Sequence, residues 1–260
     1  MNERARPGKA LTLYAIISYL YLSLPIFFLV LFSFNTSKFS VHMEGLTLRW
    51  YDDLFKDRLI WEATRNTLIV AFTSTLVSTV IGTAAAIALH RYEFRGKGFS
   101  EATLYIPVII PEVVMGISLL VFFVMINLNL GLVSITLSHI AFNIPFVALV
   151  VRARLHGYDN SIDEAAMDLG ANEMTTFRRV TLPTILPGIL SGAMLALTLS
   201  LDDYVITYFT AGPGSTTLPL RVFSMVRFMV TPEVNALSTL WVLIVFLILV
   251  IGQIAQSRRA

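Results

Sequence analysis

Three carboxylates stand inside long runs that are otherwise uncharged: Glu112, and the adjacent pair Asp202 and Asp203. Away from water, an ionisable side chain is costly unless it meets a counter-ion, a partner or a wet cavity, so each is a functional candidate by default. No Lys or Arg lies in the same runs to pair with them. Carboxylates at two depths of one path suit a cation. Tyr204 and Tyr208 are spaced i, i+4, one turn apart on a helix, and offer an aromatic wall to an ammonium group; they read equally as packing or interfacial aromatics. Adjacent helical residues point about 100° apart, so Asp202 and Asp203 do not both face one cavity squarely. One faces the path; the other orients a neighbouring helix, bonds a second subunit or caps a local break. A competing chemistry is an intramembrane hydrolase with Glu112 and Asp202 as an acid pair. It requires an organised catalytic constellation or metal ligands, and the sequence offers neither.

A second constellation runs from Asp163 to Pro183, DEAAMDLGANEMTTFRRVTLP. Ser161 and Glu164 have capping-box spacing. Ala165, Ala166 and Leu169 continue a short helix, which Gly170 ends in a left-handed conformation. Asn172 caps a second helix reaching Val180, with Glu173 at its start and Arg178 and Arg179 near its end, matching the helix dipole. Pro183 marks a bend into the next apolar run. The expected result is two short, partly apolar helices. They seat on lipid headgroups or form a docking knob for a partner. A DNA-binding helix-turn-helix fails on context: apolar runs lie close on both sides and the second helix carries only two basic residues, Arg178 and Arg179. No nucleic-acid partner is expected.

Other chemistries lack their residues. Gly8-Lys9 is followed by Ala10, and Gly96-Lys97 by Gly98, so no GxxxxGK[ST] loop cradles a nucleotide. There is no HExxH and no cysteine, and the four histidines (42, 90, 139 and 156) are scattered. Each reads as a polar surface or interface residue, and no metal site is expected. The chain is not expected to be an enzyme.

The elements that position these residues are membrane spans. Of 260 residues 56% are hydrophobic and only 14% charged, against about a quarter charged in soluble domains. About 20 apolar residues cross a bilayer as a helix. Six stretches fit: 11–34, 66–89, 102–126, 131–151, 184–208 and 235–256, with the punctuated segment 161–183 between the fourth and fifth. The first is too long for the h-region of a signal peptide and reads as a retained span. On this reading Glu112 lies about ten residues into the third span, roughly 15 Å deep, beside Pro107 and Pro111. Basic residues set the orientation. Arg4, Arg6, Lys9, Arg91, Arg95, Lys97, Arg152, Arg154, Arg178, Arg179, Arg258 and Arg259 fall on one side, which predicts both termini in the cytoplasm. Residues 210–228 begin with Gly212-Pro213-Gly214 and turn amphipathic after Pro219, as an outer lid or an interfacial helix. Trp50, Tyr51 and Trp61 in the first outer loop either meet an external partner or anchor at the membrane interface.

Glu164-Ala165-Ala166, then Gly170, then Val180-Thr181-Leu182-Pro183 resemble the EAA motif, in which EAA, three residues, G and nine residues precede I-x-L-P. Val180 replaces the Ile. That motif belongs to the membrane subunits of binding-protein-dependent ABC importers. The resemblance covers nearly the whole chain and is closest to the permeases of spermidine/putrescine importers, through LTLRWY, RYEFRGK, IPEVVMGISLLV, SHIAFNIPFV, SLDDYVITYFTAGP and PEVNALST. It implies an all-α, six-span permease of the type I importer fold in a bacterial inner membrane. The implied complex holds a second, non-identical permease, two ATPase subunits that bind ATP and Mg, and an external solute-binding protein. Glu164, Ala165, Ala166, Gly170, Leu182 and Pro183 would then form the element coupled to the ATPase. Glu112, Asp202, Asp203, Tyr204 and Tyr208 would line the path of a polyamine. The nearest alternative cargoes are another small cation, an opine-like or amino compound, or a phosphonate. A stand-alone channel or secondary transporter is the alternative in which the EAA match is coincidence.

Overall fold

Apolar helical runs, interrupted by proline, glycine and polar turns, account for nearly every element of the chain. The computed structural model describes residues 8–38, 42–228 and 230–257; Arg4, Arg6, Arg258 and Arg259 lie outside them. In chain order the helices are α1 (Lys9–Phe32), α2 (Arg49–Lys56), α3 (Arg58–Arg91), α4 (Lys97–Ile109), α5 (Glu112–Met125), α6 (Leu132–Leu155), α7 (Ser161–Asp168), α8 (Glu173–Thr176), α9 (Leu182–Asp202), α10 (Val205–Thr210), α11 (Leu218–Phe228) and α12 (Pro232–Ser257). A π-helical turn, Phe177–Thr181, joins α8 to α9. Contacts divide the chain into two compact units, Met1–Asp57 with Val222–Ile244, and Arg58–Arg221 with Val245–Ala260.

In the first unit α1 is apolar on every side, and none of its most apolar stretch is buried. A helix of that composition without a soluble core around it belongs in lipid or against another membrane helix. Asn35, fully buried, organises the following loop. Its side chain donates to the His42 carbonyl (2.7 Å) and accepts from the Ser37 and Glu44 N–H groups. The Trp50 indole donates to the Asn35 carbonyl (2.7 Å), and the Tyr51 hydroxyl pairs with Ser33 Oγ (2.6 Å). The polar atoms of Trp50 and Tyr51 are therefore engaged within the loop.

The second unit is built on α3, α6 and α9. Buried positions on α3 recur every three or four residues and are mostly small: Ala63, Thr67, Ala71, Ser74, Ser78, Gly82 and Ala86. Small residues let membrane helices approach closely, where van der Waals contact replaces a hydrophobic drive that lipid cannot supply. Val147 of α6 fills the notch they leave. A Cβ on Gly82 would fall 2.8 Å from both the Val147 Cβ and the Ile144 carbonyl oxygen, and one on Gly192 of α9 would meet Val147 Cγ1 at 3.3 Å. Val147, Val151, Leu155 and Ile185 are fully buried in the same cluster. Arg152 of α6 holds α4 by donating to Tyr105 (2.8 Å) and Glu101 (3.0 Å).

Among the described residues five helices are long and apolar enough to cross a membrane, or six if the bent pair α4 and α5 counts as one span. The stretch expected as a span over 102–126 is not one continuous helix: α4 and α5 are bent by 111° at their junction. Pro111 causes the break, because a residue preceding proline is driven out of the helical region, and Ile110 is extended (φ −71°, ψ 133°). Glu112 therefore opens a helix instead of lying midway along one. The expected span 184–208 is also interrupted, at Asp203 (φ −64°, ψ 121°). The bend expected at Pro183 does not occur, since Glu173–Asp202 runs as one helix. Proline lacks the N–H that would bond four residues back and crowds that carbonyl; the wider π turn immediately before it accommodates both defects.

Gly82→Ala is expected to destabilise the protein by about 1–3 kcal/mol through overpacking. Gly98→Ala, where a Cβ meets nothing within 4 Å, is expected to be neutral or mildly stabilising. Thermal midpoints of the purified proteins in detergent measure the contrast.

Candidate functional site

The two helix breaks lie against each other. A Cβ on Gly116 of α5 would fall 2.7 Å from the Phe209 ring and 3.5 Å from the Ile206 Cα of α10, so the two short helices are in direct contact. Glu112 occupies the first turn of α5, is exposed, and is near enough to Asp202 and Asp203 to feel both charges. Asp202, also exposed, closes α9. The Tyr204 and Tyr208 rings stand 5.7 Å apart, and Phe209 meets Tyr208 edge-on at 5.3 Å. Two exposed carboxylates and an aromatic row thus share one region.

Asp203 has a different environment. Its side chain is 6% exposed and caps α10, accepting the N–H groups of Ile206 (3.3 Å) and Thr207 (2.8 Å) and the Thr207 hydroxyl (2.7 Å). His139 Nε2 lies 3.1 Å from Asp203 Oδ2 and 2.9 Å from Thr207 Oγ1, while Nδ1 lies 2.6 Å from Ser200 Oγ. Ser200 in turn pairs with Ser74 of α3 (3.0 Å). With a proton on Nε2, the imidazole donates to Asp203 and accepts from Ser200 at Nδ1. The residue types are those of a hydrolytic triad, yet His139 and Ser200 are both buried, at 2% and 4% exposure. No substrate reaches them. The network ties α3, α6 and α9 to the start of α10.

The Asp163–Pro183 segment forms a second site. Gly170 is left-handed (φ 93°). The Ala171 N–H reaches the Ala166 carbonyl and the Gly170 N–H the Met167 carbonyl, the paired bonds of a Schellman motif. Asn172 Oδ1 accepts from the Thr175 N–H (2.9 Å) and caps α8. The capping box expected at Ser161 is corrected: Asp159 Oδ1 accepts the Ser161 N–H (3.0 Å), so the cap starts two residues earlier. That bond holds the Asp159 carboxyl below its usual range. Glu164 and Ala165 are exposed, Ala166 and Leu182 partly buried, and Pro183 exposed. Leu169, just before the turn, is 90% exposed.

Three residues escaped the sequence reading. Leu169 reads in the sequence only as helix continuation. His139 was read as a surface or interface residue and is in fact buried; an ionisable side chain within an uncharged run was the available signal. Asp163, to which the sequence pattern assigns no role, is the only buried residue of α7. Arg91, Thr181 and Tyr158 surround it, and burial together with the Asp163 hydrogen bond raises the Tyr158 phenol above its usual range.

Residues 78–258 match the family described as "Binding-protein-dependent transport system inner membrane component". The chain is 43% identical over 240 residues to the spermidine/putrescine transport system permease protein PotC of Escherichia coli strain K12, covering 92% of this chain and 90% of that one. It is 42% identical over 232 residues to the putrescine transport system permease protein PotI of the same strain, covering 86% and 83%. A chain of the solved bacterial ABC transporter that imports the acidic polysaccharide alginate shares the fold, with a TM-score of 0.75 at 18% identity, over 96% of this chain and 94% of that one.

Asp203→Ala removes a cap and strands buried partners, and is expected to destabilise by about 2–4 kcal/mol. Asp202→Ala, at an exposed position, is expected to stay within about 0.5 kcal/mol. Thermal unfolding of the two purified variants tests the division of roles.

Proposed function

The chain belongs to the family of binding-protein-dependent transport system inner membrane components, and from that premise we propose that it is the permease subunit of an ATP-driven importer of polyamines. It forms half of a translocation path, with a second, non-identical permease as the other half. Two ATPase subunits bind ATP and Mg on the cytoplasmic side, and an external solute-binding protein delivers spermidine or putrescine. Both termini and the 161–183 segment face the cytoplasm, where Glu164, Ala165, Ala166, Gly170, Leu182 and Pro183 meet the ATPase.

The observation that carries the cargo reading is that Glu112 and Asp202, both exposed, stand at the two helix breaks, whose short helices α5 and α10 pack together at Gly116. A polyamine presents ammonium groups separated by methylenes, which matches separated carboxylates with the Tyr204 and Tyr208 faces alongside. The negative end of α9 adds to the field of Asp202 and draws a cation. An ammonium 4 Å from a carboxylate gains about 1 kcal/mol in water and about 4 kcal/mol where the effective dielectric is near 20. Asp203, engaged by His139 and Thr207, holds Asp202 in place without contacting cargo.

The test is ATP-dependent uptake of radiolabelled putrescine and spermidine in proteoliposomes containing the full complex. Glu112→Gln and Asp202→Asn are each expected to lower uptake at subsaturating cargo by about 10–100-fold, the loss of one such contact, in complexes that still assemble. Glu164→Ala is expected to abolish stimulation of ATP hydrolysis by the loaded binding protein. An assembled, ATP-hydrolysing complex that moves neither amine would sink the cargo assignment.

A further inference from the structure

We propose that Asp163 is the joint through which movement of the 161–183 segment is passed to α3 and α9. The inference rests on the importer reading and adds to it a residue that acts by position, outside both the cargo path and the exposed docking surface. Three chain segments converge on this one carboxylate. Arg91, the last residue of α3, donates to Asp163 Oδ2; the Tyr158 hydroxyl, from the loop after α6, donates to Oδ1. The Thr181 hydroxyl, in the π turn, donates to the same Oδ1 (2.9 Å) and accepts from Arg91 (2.9 Å). Arg91, Asp163 and Thr181 thus form a closed triangle, and Thr181 is fully buried.

The manner of seating matters. Asp163 is the only buried residue of α7, so the helix is held by a charged, hydrogen-bonded group and not by an apolar face. An apolar contact can slip by a fraction of a turn at little cost. A carboxylate that loses its donors while buried cannot, because each unsatisfied polar group carries its desolvation penalty. Displacement of α7 must therefore carry Arg91 and Thr181 with it. Thr181 immediately precedes α9, a helix of 21 residues and so about 30 Å long, whose far end is Asp202. The joint and the cargo carboxylate sit at opposite ends of one rigid element.

The experiment uses the full reconstituted complex and measures ATP hydrolysed per polyamine imported. Asp163→Asn is expected to raise that ratio by about 3–30-fold, the range of coupling changes produced by residues between two sites, because uptake falls more than hydrolysis. Asp163→Glu is expected to restore part of the loss. Thr181→Val and Tyr158→Phe each remove one hydrogen bond without uncovering the charge, and decide the matter if Asp163→Asn does not assemble. This chain has no cysteine, so spin labels at Leu169→Cys and Arg95→Cys report the seating of α7 against the end of α3. A narrow distance distribution is expected with Asp163 present and a broad one with Asn. An assembled Asp163→Asn or Thr181→Val complex with the original ATP-to-cargo ratio, or unchanged label distances in Asp163→Asn, overturns the proposal. Failure of the importer reading looks different: the unmutated complex itself would show no ATP-dependent uptake, while the label distances would still test the joint.

Discussion

A helix interrupted inside an apolar environment exposes N–H and C=O groups that nothing outside the protein can satisfy, so the chain must supply their partners. The arrangement around the candidate path depends on how this is done at the break between α9 and α10. Asp203 accepts two backbone N–H groups of α10, and His139 holds the carboxylate that does so. Because His139 also reaches Ser200, and Ser200 reaches Ser74, the break is fixed by three different helices. The α4–α5 break differs. Pro111 both causes it and removes one N–H that would need a partner, leaving Glu112 free of capping duty and exposed.

Two kinds of contact divide the work in the second unit. Between α3, α6 and α9 the fit is steric: glycine notches at Gly82 and Gly192 receive Val147, and one added Cβ would already crowd it. Such packing resists compression from every side. At the seat of α7 the fit is polar and directional, with Arg91, Tyr158 and Thr181 all aimed at one carboxylate. Steric packing keeps the bundle a unit, and directional bonding fixes how a small external helix is attached to it. Neither contact would serve in the other's place, since a helix as short as α7 has too little apolar area to seat by packing.

Where the sequence was readable, a local physical rule operated on a local pattern. Apolar length marked where the long helices lie, Gly170 marked the left-handed helix end, and Asn172 marked the next cap. Proline rules worked for Pro111 only as a suspicion of distortion, and they misplaced a bend at Pro183 because a π turn offers proline a second solution. The break at Asp203 has no proline or glycine to announce it. It is created by a tertiary partner, His139, which lies 64 positions from Asp203 and 61 from Ser200 in the chain and is brought to both only by the fold. The identity of the buried carboxylate at 163 was hidden for the same reason: Arg91 is 72 residues distant and Thr181 is 18.

The chain twice places acidic residues side by side, Asp163-Glu164 and Asp202-Asp203, and twice the fold treats the two members oppositely. Asp163 and Asp203 are buried among donors, whereas Glu164 and Asp202 are exposed. The rotation of about 100° between neighbouring helical residues makes this division natural: once one carboxylate is turned inward and fixed, its neighbour must point outward. A surface charge on a mobile side chain is thereby given a defined base, anchored one residue away by groups that cannot rotate. The two pairs lie near opposite ends of α9, one through the Thr181 contact and the other at the helix's own terminus. Each exposed carboxylate is thus oriented by a buried twin, and one continuous helix joins the two anchors.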